Sequence, residues 1–263
     1  MQHSHLGVVS MLRLVGIVFV STICVIGAPS TSRSQTGPRT PADIVAAFVR
    51  TERQVRNDLN QHTFKRDVVL QTIGPNGEVT GEYIRNSQFV FDDDGNRIER
   101  VTFHPPSTIR ELRVTKEDVQ DLASAQLLGI DISEIDKYRL TYASEEVLDH
   151  RPVYVLIVEP VVKPDPHRMR ERFFVGRIWI DAENFQVVKV KGIVQPQGKQ
   201  RFPVFETWRA PVAANLNLPV RTEADDVLRF PGRNVNYRIR VRYYDYQLFA
   251  GKLKITETDE PGN

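Results

Sequence analysis

The stretch from Gly176 to Gly192, GRIWIDAENFQVVKVKG, constrains the fold of this chain more than any other. Ile178 and Ile180 alternate with Arg177, Trp179 and Asp181. After the turn residues Asp181-Ala182-Glu183-Asn184, Val188 and Val190 alternate with Lys189 and Lys191. A period of two on both sides of a polar turn predicts a β-hairpin with one apolar and one charged face. Such a sheet covers apolar material on one side and meets water on the other.

The same bias recurs along the chain. Strands are predicted over 64–73, 83–91, 97–104, 138–147, 152–159, 172–194 (the hairpin), 202–209, 218–226 and 235–249. In the second of these Tyr83, Ser87, Phe89 and Phe91 share a face, with Arg85 as the exception. In the third Val101 and Phe103 share one. In the last, Arg238, Arg240, Arg242 and Tyr244 alternate with Ile239, Val241 and Tyr243. The total is about ten strands joined mostly by short turns, so the sheet is expected to be antiparallel.

Before the first strand, Ile44, Phe48, Val55 and Leu59 recur at helical spacing, with Thr40 placed to cap, Pro41 in the first turn and Asp43 near the N-terminus. This predicts an amphipathic helix of about five turns. A second helix is expected to start at Val114-Thr115-Lys116-Glu117-Asp118, with Val119 and Leu122 as its apolar face. Residues 124–136 fit helix or loop, and 160–171 read as a solvated loop.

The first 34 residues read as a secretory leader. Arg13 precedes a run of 15 residues from Leu14 to Ala28, followed by Ser- and Thr-rich sequence up to Thr40. The run is short for a membrane span, which needs about 20 apolar residues. An uncleaved anchor is the alternative. Cys24, the sole cysteine, follows bulky Ile23 and reads as an apolar filler of the leader rather than a lipidation site, so no disulfide is expected in the mature chain. The leader also carries the surplus charge. It holds Arg13 and Arg33 and no acid, and removing those two from 35 basic residues leaves 33 against 33 acidic ones. A neutral mature chain argues against a partner held by phosphate neutralisation, so nucleic acid is not expected. The expected organisation is 1–34 leader and start of a linker, 35–254 one domain, and 255–263 a polar tail.

Motifs for catalysis are absent: there is no G-x-S-x-G, H-E-x-x-H, C-x-x-C or phosphate-cradling glycine loop. His62, His104, His150 and His167 lack metal-ligand spacing. Asp92-Asp93-Asp94-Gly95-Asn96 has Phe103 where a calcium loop needs Glu, and reads as a hairpin turn. The arginine row Arg238, Arg240, Arg242 could bind an anion or a lipid headgroup, but pairing with acids of the sheet is the expectation. Asp225 and Asp226 read as strand-end turn residues. No catalytic residue, cofactor or metal is expected.

Several runs resemble a known family. Gly176-Arg177-Ile178-Trp179-Ile180-Asp181 with Val187-Val188-Lys189 looks like the late hairpin of bacterial outer-membrane lipoprotein-sorting (LolA/LolB-like) proteins. Tyr154 to Pro160, YVLIVEP, fits their apolar strand ending in proline, and Gly81-Glu82-Tyr83 with Phe103-His104-Pro105-Pro106 resembles their first hairpin. The runs FPVFETWR (202–209) and ADDVLRFPG (224–232) resemble uncharacterised exported bacterial members. The resemblance spans about residues 42–250. One departure is plain: the carriers have arginine followed by proline after the first hairpin strand, whereas the nearest residue here, Arg97, is followed by Ile98.

The resemblance implies an α+β protein, mainly β: a large antiparallel sheet curled into an incomplete β-barrel covered by helices. It implies a periplasmic carrier or binder of a hydrophobic ligand, lipid or lipoprotein acyl chains, in an apolar cavity and without catalysis. An inner- or outer-membrane transport component is an expected partner. An acyl chain of about fourteen methylenes gains on the order of 11 kcal/mol on burial, so such a site can leave no polar motif. The expected lining is Phe89, Phe91, Val101, Phe103, Ile178, Ile180, Val188, Val190, Ile239 and Val241. The alternatives are an envelope sensor or interaction module with a filled core, an outer-membrane barrel, and an enzyme.

Overall fold

The computed structural model describes residues 39–114, 132–165, 172–197, 201–213 and 216–249. The expected leader, most of the expected second helix, His167 and the expected polar tail lie outside the described residues.

The described chain begins with helix α1, Pro41–Leu59. Thr40 caps it through a reciprocal box. Thr40 Oγ1 accepts from the Asp43 amide at 3.2 Å, and Asp43 Oδ2 accepts from the Thr40 amide at 3.1 Å. Two otherwise unpaired backbone donors are satisfied, which fixes where the helix starts. Its buried stripe is Ile44, Ala47, Phe48, Glu52, Val55 and Leu59.

Ten strands follow: β1 His62–Ile73, β2 Val79–Phe91, β3 Arg97–Phe103, β4 Tyr138–Leu148, β5 Arg151–Pro160, β6 Phe173–Asp181, β7 Val187–Gln195, β8 Phe205–Ala213, β9 Leu216–Phe230 and β10 Arg233–Leu248. A short 3-10 helix, Ile132–Lys137, leads into β4. The strands form one antiparallel sheet in the order β3-β2-β1-β10-β9-β8-β7-β6-β5-β4. A three-stranded and a seven-stranded meander are thus joined by a single long-range pairing, β1 with β10. The chain between β3 and β4 runs from one edge of the sheet to the other. β3 and β4 are not paired with each other, so the sheet is not closed.

The sheet must curl. Nine inter-strand spacings span about 43 Å when flat, whereas a helix of 19 residues is about 28 Å long. Yet α1 packs on β4 at one edge, and the carbonyl of its last residue, Leu59, accepts a hydrogen bond from Arg97 Nη2 of β3 at the other. The helix therefore lies inside the curve. On β1 the burial alternates without exception, with His62, Phe64, Arg66, Val68, Leu70 and Thr72 turned inward.

The opening hairpin forms as β6 and β7. Gly176 and Gly192 stand opposite each other, and a Cβ on either would collide with the ring of Phe174, which lies over the pair. The turn is organised by Asp181, whose Oδ1 accepts from the amides of Glu183 at 2.8 Å and Asn184 at 3.2 Å. Asp181 is consequently buried and does not belong to a solvated charged face.

Two bulges overturn face assignments made from alternation. In β6–β7, Trp179 pairs with Lys189 but Ile180 pairs with Val187, so Val188 is an extra residue. It leaves the side of Ile178 and Ile180 and packs with Val153, Val155 and Trp179. In β2–β3, Ser87 pairs with Val101 but Asn86 pairs with Phe103, leaving Thr102 extra. Phe103 therefore turns to the face opposite Val101. One inserted residue reverses every side chain beyond it.

The outer face is correspondingly less wet than alternation predicts. Trp179 is buried there, with Nε1 donating to Glu146 Oε2 at 2.9 Å. Trp179, Lys189, Trp208 and Arg221 lie in register across β6 to β9. Lys189 Nζ sits 5.1 and 4.6 Å from the two indole rings, and the Arg221 guanidinium 4.9 Å from Trp208, a cation–π row. The arginines of β10 pair with sheet acids: Arg238 with Asp225 at 2.8 Å, Arg240 with the same carboxylate, and Arg242 with Asp67 at 2.7 Å. Asp225 and Asp226 are mid-strand residues rather than turn residues, because β9 continues to Phe230.

Candidate functional site: the concave face beneath α1

Alternation turns one side chain in two of every strand toward α1. Over most of β5 to β10 these are aliphatic. Ile178, Ile180, Val190, Ile239 and Val241 form one cluster with Ile44 and Phe48 of the helix and with Leu156, Val187 and Phe205. Ile178, Ile180 and Val190 have no exposed surface at all. The helix side chains and the expected lining residues of this half thus belong to one buried cluster.

A seam of polar groups crosses the same face. Arg209 of β8 meets Glu52 of α1 in a bidentate pair, Nη1 to Oε2 at 3.1 Å and Nη2 to Oε1 at 3.0 Å, with the arginine side chain fully buried. Next in the sheet, Thr207 and Thr222 pair across β8 and β9, their hydroxyls 2.8 Å apart, and the Tyr243 hydroxyl lies 3.4 Å from Thr222. Burial pushes the Tyr243 phenol up from its ordinary pKa. Tyr243 in turn pairs with Arg66 of β1.

Beyond the seam, under β1 to β3, the face changes character. Phe64 stacks on Phe89 at 4.4 Å and on Tyr246 at 5.3 Å, and Phe91 packs on Phe249 at 4.5 Å. Three arginines stand among these rings. Arg66, 2% exposed, lies over Phe89. Arg97 lies between Phe64 and Phe91, 5.6 and 5.5 Å from their centres. Arg85 follows Tyr83 on the inward phase of β2.

One carboxylate, Glu99, serves two of the three. Its Oε1 accepts from Arg66 Nη2 at 3.0 Å, Arg85 Nε at 3.0 Å and Ser87 Oγ at 2.5 Å; its Oε2 accepts from Arg85 Nη2 at 2.9 Å. Burial alone would raise its pKa. The hydrogen bonds from Arg85 and Ser87 and the charges of Arg66 and Arg85 outweigh that and carry it down to about 2. Arg97 is different. Burial, followed by the nearby charge of Arg56, lowers its pKa.

The expected lining residues are therefore divided. Five lie together under α1: Ile178, Ile180, Val190, Ile239 and Val241. Phe89 and Phe91 belong to the aromatic half. Val101 is on the same face, paired with Ser87, but 40% exposed. Phe103, 54% exposed, and Val188 are turned away by the bulges. The polar members were missed, although their phase was visible. Glu52 interrupts the stripe of Phe48 and Val55, and Arg66 occupies an inward position between Phe64 and Val68. A charge in an apolar phase is the signal that a buried partner exists.

Two of the histidines lie against backbone carbonyls. His62 Nδ1 lies 2.7 Å from the Asp58 carbonyl and His104 Nδ1 2.7 Å from that of Ile84. The Asp92–Asn96 stretch is the β2–β3 turn, with Gly95 at φ 81° and Asp92 Oδ1 accepting from the Asn96 amide at 2.7 Å.

No protein-family model and no curated protein matches the sequence. Three solved structures are similar in chain path. A DUF1329 family protein from Desulfovibrio piger is 12% identical, covering 81% of this chain and 95% of its own, with a TM-score of 0.40. A LolA superfamily protein from Nitrosomonas europaea is 14% identical over 80% and 94%, TM-score 0.36. A putative outer membrane lipoprotein-sorting protein domain from Vibrio parahaemolyticus is 10% identical over 77% and 92%, TM-score 0.38. The fold stands on the hydrogen-bond ladder of this chain itself.

Proposed function

We propose that this chain is an exported, non-catalytic binding protein that takes an acyl chain, of a lipid or of a lipoprotein, onto the concave face of its sheet. One observation carries the reading. Among the described residues the inward face of the ten-stranded sheet is covered by one amphipathic α-helix and the short 3-10 helix, and polar ties fasten the α-helix: Glu52 to Arg209, the Leu59 carbonyl to Arg97, and Arg39 Nη1 to the Ala182 carbonyl at 2.6 Å, just ahead of it. Shifting α1 while the ties exchange partners would uncover apolar area large enough to hold an acyl chain. The leader-like pattern of the first 34 residues supports export, and a periplasmic site of action is part of the same proposal.

The filled aliphatic half favours a second reading, an envelope interaction module whose core is closed by its own helix. A fluorescent acyl probe separates the two. Saturable binding at micromolar probe, together with lipid retained in native mass spectra of protein purified from a membrane-containing host, supports the carrier. Neither probe binding nor retained lipid would sink it and leave the interaction module.

A further inference from the structure

Resting on the carrier reading, the geometry points to a ligand class: we infer that the β1–β3 end of the concave face holds the acidic head of an anionic amphiphile, a long-chain carboxylate or phosphate ester, with Arg97 as the principal anion-binding residue and Arg66 and Arg85 beside it.

The charge balance of this end is the first argument. Among the described residues it carries Arg66, Arg85 and Arg97 against Glu99. Glu99 is already saturated. Four donors from Arg66, Arg85 and Ser87 occupy its two oxygens, which accept at about four positions in all. It has nothing left for Arg97.

The second argument is the state of Arg97 itself. Its Nη2 donates to the Leu59 carbonyl, a single contact with the negative end of α1 that uses one of five N–H donors. The rings of Phe64 and Phe91 flank it, and the other charge acting on it is a second cation, Arg56 of α1. The Nε atoms of both Arg97 and Arg66 are buried without a hydrogen-bond acceptor among the described residues. A guanidinium whose Nε is buried without an acceptor carries a desolvation cost, and a bidentate oxyanion removes that cost. A helix-end tie explains one donor of Arg97; it does not explain the missing acid.

The third argument is the surround. Phe64, Phe89 and Phe91 offer stacked apolar surface directly beside the cations. An acid head at the fork of Arg97 would place its first methylenes against these rings. A neutral headgroup could use the rings but would leave the charge unanswered.

The test compares ligands of one chain length. Displacement of a fluorescent acyl probe from the full mature chain is measured at pH 7.5 with hexadecanoate, hexadecyl phosphate, hexadecanol and methyl hexadecanoate. The two anions are expected to compete at least tenfold better than the two neutral compounds, and their ratio to each other tells carboxylate from phosphate. Arg97→Gln should reduce the anion preference to within about twofold while hexadecanol binding stays within threefold, and Arg97→Lys should restore most of it. Equal competition by hexadecanol and hexadecanoate on the unmodified protein overturns the inference and leaves the carrier reading standing; that arm needs no variant to fold. An anion preference unchanged in a folded Arg97→Gln also overturns it. Failure of the probe and of all four compounds to bind removes the carrier reading itself.

Discussion

The two halves of the concave face obey the same alternation and do opposite things with it. Under β5 to β10 the inward positions hold Ile178, Ile180, Val190, Ile239 and Val241, and the helix fills the space above them. Under β1 to β3 the inward positions hold Phe64, Phe89 and Phe91 with Arg66, Arg85 and Arg97 between them. In the first half these aliphatic side chains belong to one buried cluster with Ile44 and Phe48 of the helix. The second stabilises itself only in part, because among the described residues Glu99 answers Arg66 and Arg85 and not Arg97. A half that is satisfied by its own chain serves stability, and a half that is not is where a ligand has something to add.

The seam between the halves gives the largest expected effect. Glu52→Ala strands the fully buried Arg209 and should lower unfolding free energy by about 3–5 kcal/mol in urea denaturation, whereas Glu52→Leu with Arg209→Met should recover most of the loss. If the single variant costs under about 1 kcal/mol, the pair is not what joins helix to sheet. Within the halves, Ile178→Ala is expected to cost about 3 kcal/mol and Phe91→Ala about 1 kcal/mol, since the first empties a closed site and the second trims a half-open one. Equal costs would erase the distinction between a filled and an unfinished half.

Acid sharpens it further. The folded carboxyl of Glu99 lies at about 2, below its ordinary 4.5. Its stabilisation is therefore whole above about pH 4.5 and is lost as pH falls toward 2, on the order of 2 kcal/mol after solvent screening of a side chain that is 25% exposed. Thermal melts from pH 5 to pH 2 should show this loss, and Glu99→Gln should flatten that limb of the curve. An unchanged slope in the variant would mean that the carboxylate is not held by the arginines.

Much of this was legible in the sequence. Alternation located all ten strands, and Thr40, Pro41 and Asp43 located the helix start, because both signals are local. The errors fell where locality ends. Val188 and Phe103 changed faces because a bulge adds one residue without any glycine or proline to mark it; only the cross-strand register reveals it. Asp225 and Asp226 were misplaced because β9 runs on past two acids, the first paired with Arg238 and Arg240 of its neighbour and the second accepting from the amides of Val204 and Val227. The charged half of the concave face was half-visible. Arg85 stood out as an exception to its strand, but Arg66 and Glu52 carry meaning only once Glu99 and Arg209 are seen opposite them. Periodicity says which way a side chain points and is silent about what it meets.

The pairing of β1 with β10 has a consequence in time. A chain made from its N-terminus has α1 and β1 long before their neighbours exist. The strand that closes β1's second edge runs to Leu248, and the guanidinium that receives Glu52 lies 157 positions downstream of it. Until those arrive the helix has no berth and the first three strands have no companion sheet, so the early chain stays unfinished and the last strand commits the whole. Such an order suits a polypeptide that must remain pliable until all of it is in one place.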